Sequence, residues 1–509
     1  MTIRIVQGTA DHVVVIGAGL AGLSTALHLS GAGRSVTVLE QGGEPGGKAG
    51  VFRQDGYTLD NGPTVLTMPE LIRQAFAAVG EEMEQHLTLL PVSPAYRAHY
   101  SDGSSLDVLT DTHAMAAEIE RVCGAAEAVG YRRLVAFLKR LYACEYDNFI
   151  NRNTDGPLDL ALPELARLAS YGAFRSMEGK VRQYLKDPRT IRLFSFQALY
   201  AGVAPHHARA LYTIISYMDT VSGVFFPEGG MHALPRAMAD AAVAHGVKIK
   251  YHTAVELIET TLGGRARAVL TSSGARIPAE AVVIASEPSV ALPRLLGRAP
   301  RRLRRLRYSP SCFLWLAGSP PQPATDGRAP AHHNIHFGRT WRRGCQEVID
   351  RGVLMTDPSF MVNVPTVTDS SLAPEGCHSH SVLFLAPNLI AGRVDWETTA
   401  PRYRDEIRKI VWRNGYTALA EDPRAEHVIT PADWLRRGCP AGTPFSAAHT
   451  FRQTWPFRTP NLAGENIVLA GAGTHPGVGV PMALISGRLA AERVTGPVRT
   501  ARRRPLGAG

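Results

Sequence analysis

The N-terminal 40 residues constrain the fold more tightly than any other part of this chain. Residues 12–16, "HVVVI", form a short apolar run typical of a buried strand, and "GAGLAG" follows directly. The helix-like stretch "LSTALHLSGAG" comes next, and "SVTVLE" at 35–40 has the pattern of a second strand. A strand, a glycine turn, a helix and a strand within so short a span predict the opening of a doubly wound α/β fold.

The glycines between the first strand and the helix are spaced as in a dinucleotide-binding loop. Gly17, Gly19 and Gly22 fit G-x-G-x-x-G, with Leu20 and Ala21 between the last two. The first glycine permits the tight turn, the second lets the backbone approach a pyrophosphate, and the third lets helix and strand pack closely. Free N–H groups at the start of the helix favour an anion there. We expect all five residues to contact a dinucleotide.

The residues after the second strand distinguish between dinucleotides. Glu40 ends that strand, where its carboxylate can accept the ribose hydroxyls of an adenosine and would repel a 2′-phosphate. "GGEPGGKAG" then supplies Gly46, Gly47 and Lys48, a second flexible backbone surface and a cation that can meet the same pyrophosphate. NAD enzymes do not need this second surface, so the pattern favours FAD.

With this second loop, the sequence resembles the superfamily of flavin-containing amine oxidases and carotenoid desaturases, whose signature is G-x-G-x-x-G, an acidic residue and then G-G-[K/R]. Within it, five long segments in the same order resemble the bacterial-type phytoene desaturases. They are residues 55–70, 193–205, 225–242, 357–388 and 470–494. The resemblance spans nearly the whole chain and implies one FAD per chain.

The resemblance implies an α/β fold in several sequence segments. A discontinuous Rossmann-type FAD-binding domain is expected beside a mixed-sheet substrate domain that carries a largely helical, membrane-associating insertion. We place the FAD-binding domain at 1–75, 226–295 and 456–496, the helical insertion and part of the substrate domain at 76–225, the rest of the substrate domain at 296–455, and a basic tail at 497–509.

Further contacts to FAD are expected in the later segments. "AGAGTHPGVGVP" is a strand that ends in glycines before a helix, so that its backbone amides can approach the flavin ring. Too few residues follow it for a second nucleotide unit. The resemblance also assigns Pro63 and Thr64 to the isoalloxazine face, Val255 to the adenine and Ser286 to a position beside the flavin. The contacts expected from the C-terminal glycine-rich segment are Gly471, Gly473, Gly479, Val480 and Pro481.

The implied substrate is an apolar polyene, phytoene or a related carotenoid, which offers no hydrogen-bonding group. The site should therefore be a long apolar tunnel beside the flavin. Aromatic residues between 194 and 226 suit its wall, although each could equally belong to the core. They are Phe194, Phe196, Tyr200, Tyr212, Tyr217, Phe225 and Phe226.

Three residues are candidates for proton transfer. In the family, an Asp and an Arg one helical turn apart have been considered as an acid/base pair, and Glu164 and Arg167 have that spacing here. A surface ion pair explains them equally well. Asp219, in the apolar sequence "SYMDT", is the better candidate for a perturbed pKa. A strong base is not required, because an allylic carbon can lose hydride with the cation delocalised over the polyene.

The charge and hydropathy of the sequence indicate which kinds of partner, nucleic acid, metal or membrane, the protein is expected to bind. The net charge is +10, and "RRLRRLR" at 301–307 and "RTARRR" at 499–504 are strongly basic. No nucleic-acid-binding signature accompanies them, and the scattered cysteines do not predict a metal site. The sequence has no spanning segment or signal peptide, so we expect a cytoplasmic protein attached peripherally to the membrane through the helical insertion and its arginines.

Three functions are compatible with these observations. The first is an FAD-dependent phytoene desaturase, re-oxidised by oxygen or a quinone. The second is another carotenoid enzyme on the same scaffold, such as a C30 desaturase, a hydroxy- or methoxycarotenoid dehydrogenase, an isomerase or a ketolase. The third is a non-catalytic FAD-binding protein. The shared motifs do not distinguish among them.

Overall fold

The computed structural model describes residues 3–8, 10–156, 162–298, 300–321, 329–454 and 456–496. Its strands are β1 (His12–Ile16), β2 (Ser35–Leu39), β3 (Val51–Gln54), β4 (Tyr57–Asp60), β5 (Leu89–Pro91), β6 (Tyr96–Tyr100), β7 (Ser105–Val108), β8 (Phe225–Pro227), β9 (Lys248–Lys250), β10 (Val255–Thr260), β11 (Ala266–Thr271), β12 (Arg276–Pro278), β13 (Ala281–Ile284), β14 (Ser311–Ser319), β15 (His333–Phe337), β16 (Phe360–Asn363), β17 (His378–Ala386), β18 (Arg424–Ile429) and β19 (Ile467–Leu469).

The helices follow in the same order. They are α1 (Leu20–Gly31), α2 (Pro69–Ala77), α3 (Thr112–Cys123), α4 (Ala125–Glu145), α5 (Leu162–Ser170), α6 (Met177–Val181), α7 (Pro188–Leu193), α8 (Thr213–Thr220), α9 (Ala233–Ala244), α10 (Pro288–Leu296), α11 (Trp341–Ile349), α12 (Trp396–Arg413), α13 (Thr417–Glu421), α14 (Pro431–Arg436) and α15 (Val480–Thr495).

A parallel sheet organises the N-terminal and C-terminal parts of the chain. Its strand order is β19-β13-β1-β2-β9, with β1 in the middle. Residues 13–15 of β1 have no exposed surface, as expected for a strand covered on both faces. Helices α1 and α15 pack against each other, where the Ser24 hydroxyl donates to the Leu484 carbonyl at 2.8 Å. The predicted strand, glycine turn, helix and strand are therefore confirmed.

The strands of this sheet come from distant parts of the sequence. β1 and β2 lie within 1–75, β9 and β13 within 226–295, and β19 within 456–496. Between β9 and β13, the antiparallel sheet β10-β11-β12 adds a small second layer. The exact domain boundaries remain predictions, and the expected basic tail at 497–509 lies outside the described residues.

A mixed sheet forms the second half of the fold. Its order is β18-β14-β17-β16-β15-β6-β7, and all neighbours run antiparallel except β15 and β6. Phe313, Trp315 and Phe384 lie fully buried on this sheet, and Tyr403 of α12 packs its ring against Phe313. The apolar, β-branched and aromatic composition of these strands suits a sheet buried on its packed face.

The chain between 112 and 220 is largely helical, as the sequence predicts. Asp111 caps α3 by accepting hydrogen bonds from the amides of His113 and Ala114. The strands β5, β6 and β7 just before it, and helix α11, are not part of the sequence prediction. Among the described residues, the structure contains no helix of the length and apolarity needed to cross a bilayer.

Candidate active site

One large cavity lies between the two main sheets. Its volume is about 1710 Å³, and its walls include Ile16 and Leu39 of the parallel sheet and Leu314, Ile335 and Leu383 of the mixed sheet. Single small-molecule sites occupy roughly 300–1,000 Å³. The cavity therefore has room for a dinucleotide and a second, elongated molecule.

The glycine loop lines one end of this cavity, and its backbone geometry requires glycine. Gly17 has φ of +107°, in the left-handed region that other residues avoid. A Cβ atom on Gly22 would lie 2.0 Å from the carbonyl oxygen of Gly17. Helix α1 begins after Gly19 without a side-chain cap, which leaves its first N–H groups open to an anion.

The second glycine pair lies directly against the first loop. The Gly46 amide donates to the carbonyl of Ala18 at 2.9 Å, and Gly46 forms an isolated parallel bridge with Gly19. Gly47 has φ of +59°, and a Cβ on it would lie 3.3 Å from the Cα of Gly19. The two loops thus form one backbone cradle suited to a pyrophosphate.

Glu40 stands at the end of β2 beside this cradle. Its carboxylate accepts hydrogen bonds from the amide of Ala18 at 2.8 Å and the amide of Gly42 at 2.7 Å. Two carboxylate oxygens offer about four lone-pair positions, so two remain for ribose hydroxyls. The two amides hold the carboxylate of Glu40 beside the cradle, a position that suits the predicted contact with the ribose.

Lys48 has a different partner from the pyrophosphate expected from the sequence. Its ammonium donates to Glu287 Oε1 at 2.7 Å and to the carbonyl of Pro444 at 2.9 Å. Burial alone would raise the pKa of Glu287, but the charge and hydrogen bonds of Lys48 hold that pKa below its usual value. Lys48 lines the cavity with its charge already balanced, and a contact with the pyrophosphate remains a prediction.

Removing Lys48 should destabilise the protein. We expect Lys48→Met to lower the free energy of unfolding by about 1.5–3 kcal/mol, the typical worth of a hydrogen bond to a charged group. The reason is that, among the described residues, the buried carboxylate of Glu287 then keeps the Ser446 hydroxyl as its one side-chain donor. Urea denaturation of the FAD-loaded protein measures the loss. The double variant with Glu287→Gln should recover part of it, and equal stability of Lys48→Met and the wild type would contradict the prediction.

Most of the predicted cofactor contacts lie on the cavity wall, and two do not. Gly22 stays behind the loop, where it permits the close approach to Gly17 described above. Gly473 is also absent from the wall. It packs closely against α10 and the residue before it, where a Cβ would lie 2.4 Å from Pro288 Cδ and 2.6 Å from Glu287 Oε2. Those on the wall are Gly17, Gly19, Leu20, Ala21, Glu40, Gly46, Gly47, Lys48, Pro63, Thr64, Val255, Ser286, Gly471, Gly479, Val480 and Pro481.

Asp219 is buried on the wall of the cavity, in helix α8. Its Oδ2 accepts a hydrogen bond from the Tyr96 hydroxyl at 3.2 Å and a longer one from Gln197 Nε2 at 3.5 Å. Its Oδ1 has no hydrogen-bond partner within the described part of the chain. Burial raises the pKa of Asp219 to about 8. The side chain can therefore gain or lose a proton near neutral pH, as a general acid or base must.

Glu164 and Arg167, the other candidates for proton transfer, do not line the cavity. Helix α5 contributes Leu165, Ala166, Leu168 and Ala169 to the cavity wall but neither of these two residues. Arg167 is exposed, and Glu164 is half-buried. Asp219, which does line the cavity, is therefore the better-placed candidate, and a role of the pair in proton transfer remains a prediction.

The pKa of Asp219 predicts how stability depends on pH. An unfolded Asp has a pKa of about 3.9, whereas the folded group keeps its proton up to about pH 8. The unfolded state therefore binds fewer protons in this window, and the contribution of Asp219 to stability falls as the pH rises from about 4 to about 8.

Asp219→Asn lacks this contribution. We expect the melting temperature of Asp219→Asn minus that of the wild type to be more positive at pH 8 than at pH 5, as scanning calorimetry can measure. Other ionisable groups cancel in that difference. A difference that is independent of pH would show that Asp219 is not held neutral by the fold.

A second carboxyl group with a raised pKa lines the cavity and was not expected from the sequence. Glu145, at the end of α4, lines the cavity and is 4% exposed. Burial raises its pKa well above the usual value for Glu. Its position between "YAC" and "YDNF" has no periodic signal that marks an inward-facing acid, so the sequence offered no means of finding it.

The aromatic residues proposed for a tunnel divide between wall and core. Phe196, Tyr200 and Tyr212 line the cavity. The others belong to the packed core around it, which is the alternative that the sequence left open. They are Phe194, Tyr217, Phe225 and Phe226.

Comparison with known proteins places this geometry in a family. The family model of the flavin containing amine oxidoreductases matches residues 20–495. A phytoene dehydrogenase of Streptomyces griseus is 52% identical over 97% of this chain and 96% of its own. A zeta-carotene-forming phytoene desaturase of Myxococcus xanthus is 35% identical (95% and 93%), and a lycopene-forming phytoene desaturase of Pantoea ananas is 32% identical (92% and 95%).

Solved structures agree on the fold. A redesigned putrescine oxidase superposes with a TM-score of 0.60 over 94% of this chain and 98% of its own, at 18% identity. The cradle of glycines, the oriented carboxylate of Glu40 and the size of the cavity all fit an FAD molecule. The chain belongs to the flavin-containing amine oxidoreductase family and is an FAD-dependent oxidoreductase.

Proposed function

We propose that this protein is a carotenoid desaturase that converts 15-cis-phytoene by successive desaturations towards lycopene. The observation that carries the proposal is the continuity of the cavity, which runs from the FAD cradle into a wall of apolar side chains. Phe196, Leu199, Ile214, Ile335 and Phe337 belong to that wall. The relatives named as phytoene dehydrogenase or desaturase match the chain over almost its full length, which supports the same conclusion.

The protein supplies position and polarity to this reaction. When bound, FAD supplies the acceptor for the hydride that leaves one allylic carbon. The cradle around Gly17 and Gly46 would hold the pyrophosphate of FAD, and Glu40 would orient its ribose. The apolar wall excludes water and holds the polyene extended, so that one carbon–carbon bond at a time lies near the cofactor.

Asp219 is proposed to receive the proton from the neighbouring carbon. In its ionised form, Oδ1 is the atom free to accept, because the Tyr96 hydroxyl and Gln197 occupy Oδ2. The hydride and this proton together account for the two hydrogens removed per double bond. A group with a pKa near the working pH is suited to accept a proton and to release it before the next turnover.

The number of desaturation steps, and so the end product, is also part of the proposal. Relatives of similar identity are named after different products, zeta-carotene in one and lycopene in another. Expression in a cell that accumulates phytoene, followed by pigment extraction, tests the proposal. Lycopene or a shorter desaturation product supports it, whereas another modified carotenoid indicates a different enzyme on this scaffold. Unchanged phytoene would overturn it.

Two partners complete the proposal. Oxygen or a quinone is expected to re-oxidise the flavin after each step. Phytoene is insoluble in water, so the protein is proposed to be cytoplasmic and peripherally attached to a membrane, partly through the helical region between 110 and 225. Flotation with liposomes tests the attachment. A protein that stays in the soluble fraction with anionic as well as neutral vesicles would contradict it.

A further inference from the structure

The cavity reaches the protein surface between two exposed aromatic side chains. Phe451 and Phe457 are 52% and 50% exposed, and both line the cavity. Their ring centroids lie 6.0 Å apart. We call this pair the aromatic rim. Two half-exposed phenylalanines at the mouth of an apolar cavity form a patch that water solvates poorly.

A positive charge borders the aromatic rim on the side of the helical region. The guanidinium of Arg209 lies 5.4 Å from the ring centroid of Phe451. Its Nη1 donates to the carbonyl of Phe174 at 2.9 Å, and both residues also line the cavity. The exposed residues Ala166 and Ala169 of α5 also line the cavity. Beside Phe451, the mouth thus combines apolar rings with a cation.

The basic run at 301–307 is joined to the aromatic rim. Gln453, between the two phenylalanines in sequence, accepts a hydrogen bond from the amide of Arg307 at 2.7 Å and donates to its carbonyl at 2.8 Å. Arg301, Arg304 and Arg305 are exposed. Within the described part of the chain, none of these three forms a salt bridge, whereas Arg307 pairs with Asp350 at 3.2 Å.

We propose that the aromatic rim and the basic run together dock on the anionic surface of a lipid bilayer. Aromatic side chains partition into the interface of a bilayer, and exposed arginines attract anionic head groups. A second copy of the chain is a poorer occupant, because two-fold symmetry would set the like-charged runs near each other. The inference rests on the proposed function, since docking here opens the cavity to an apolar substrate dissolved in the membrane.

Flotation of the FAD-loaded protein with phosphatidylcholine vesicles, with and without phosphatidylglycerol, tests this surface. We expect Arg304→Ala with Arg305→Ala to weaken binding to the anionic vesicles by roughly 25-fold, at about fivefold for each arginine. We expect Phe451→Ser with Phe457→Ser to weaken binding to both vesicle types by at least about tenfold, because each ring loses its apolar contact with lipid. None of the four side chains belongs to the glycine cradle around Gly17 and Gly46, so FAD content is measured in each variant and is expected to stay at the wild-type level.

Matched controls come from other exposed residues of the same types. Ile390 and Leu435 are 71% and 51% exposed, and their double replacement by serine controls for the loss of surface apolarity. Arg402→Ala with Arg413→Ala, both in α12, controls for the loss of charge. If a control pair reduces binding as much as the corresponding test pair, or if the test pairs bind like the wild type, the assignment of this surface is wrong.

The outcomes separate this inference from the proposed function. Wild-type binding through the aromatic rim and the basic run, without desaturation, overturns the function alone. Desaturation of phytoene in detergent micelles, with unchanged vesicle binding of the rim variant, overturns the docking surface alone. A concentration-dependent dimer that the rim substitutions abolish would assign the surface to a second copy and likewise overturn the inference.

Discussion

Asp219→Asn is expected to slow the reduction of bound FAD by phytoene by about 10²–10⁴-fold, the usual contribution of a positioned acid or base. Asparagine keeps the volume and the polar contact with Tyr96 but cannot accept the proton. Anaerobic stopped-flow mixing in a single turnover isolates this step from product release and from re-oxidation. The content and absorbance of bound FAD should be unchanged, because Asp219 lies among apolar residues of α8 and not in the glycine cradle.

Glu164 and Arg167 supply the control for this experiment. Glu164→Gln and Arg167→Gln should reduce FAD at nearly the wild-type rate, since neither side chain lines the cavity. Asp219→Glu should restore part of the rate lost in Asp219→Asn, because it returns a carboxyl group to the same wall. If Asp219→Asn reduces FAD as fast as the wild type, Asp219 has no part in proton transfer, and Glu145, the other cavity carboxyl with a raised pKa, becomes the group to examine.

Gly22→Ala is expected to weaken FAD binding by between about fivefold and 150-fold. The added Cβ would lie 2.0 Å from the carbonyl oxygen of Gly17, a backbone atom that can yield only if the phosphate loop shifts. Overpacking of this kind costs about 1–3 kcal/mol, and each 1.4 kcal/mol is a tenfold change in affinity. Alanine is the better helix former, so a defect in α1 would not explain the loss.

Titration of the apoprotein with FAD, followed by flavin fluorescence, measures this effect. Gly263→Ala is the matched control, because its Cβ would meet only the Thr261 hydroxyl at an ordinary 3.6 Å in the loop between β10 and β11. The control should bind FAD like the wild type. Equal affinities of Gly22→Ala and the wild type would mean that the loop around Gly17 does not hold the cofactor.

The glycine loop at the cofactor end of the cavity could be predicted from the sequence because it is built from backbone. The spacing of Gly17, Gly19 and Gly22 reflects a steric limit among residues that are close in sequence. At Gly22, for example, a Cβ atom would clash with the carbonyl oxygen of Gly17. The largely helical character of the region that contains α3 and α4 was also expected.

Contacts between distant segments were not predictable in this way. The ion pair of Lys48 with Glu287 joins residues 239 positions apart, and no local pattern signals it. The Tyr96 hydroxyl reaches Asp219 from a strand of the mixed sheet, 123 positions away. The helical spacing of Glu164 and Arg167 suggested a catalytic pair, but spacing alone does not say which face of α5 meets the cavity.

We expect one cavity to bring FAD and an apolar polyene together for oxidation. Anaerobic mixing of the FAD-loaded wild type with phytoene in phosphatidylglycerol-containing liposomes tests this expectation. We predict that the visible absorbance of the oxidised flavin disappears while a polyene with a longer conjugated system forms, one new double bond for each FAD reduced. An unchanged flavin spectrum in protein that demonstrably binds the liposomes would contradict this expectation.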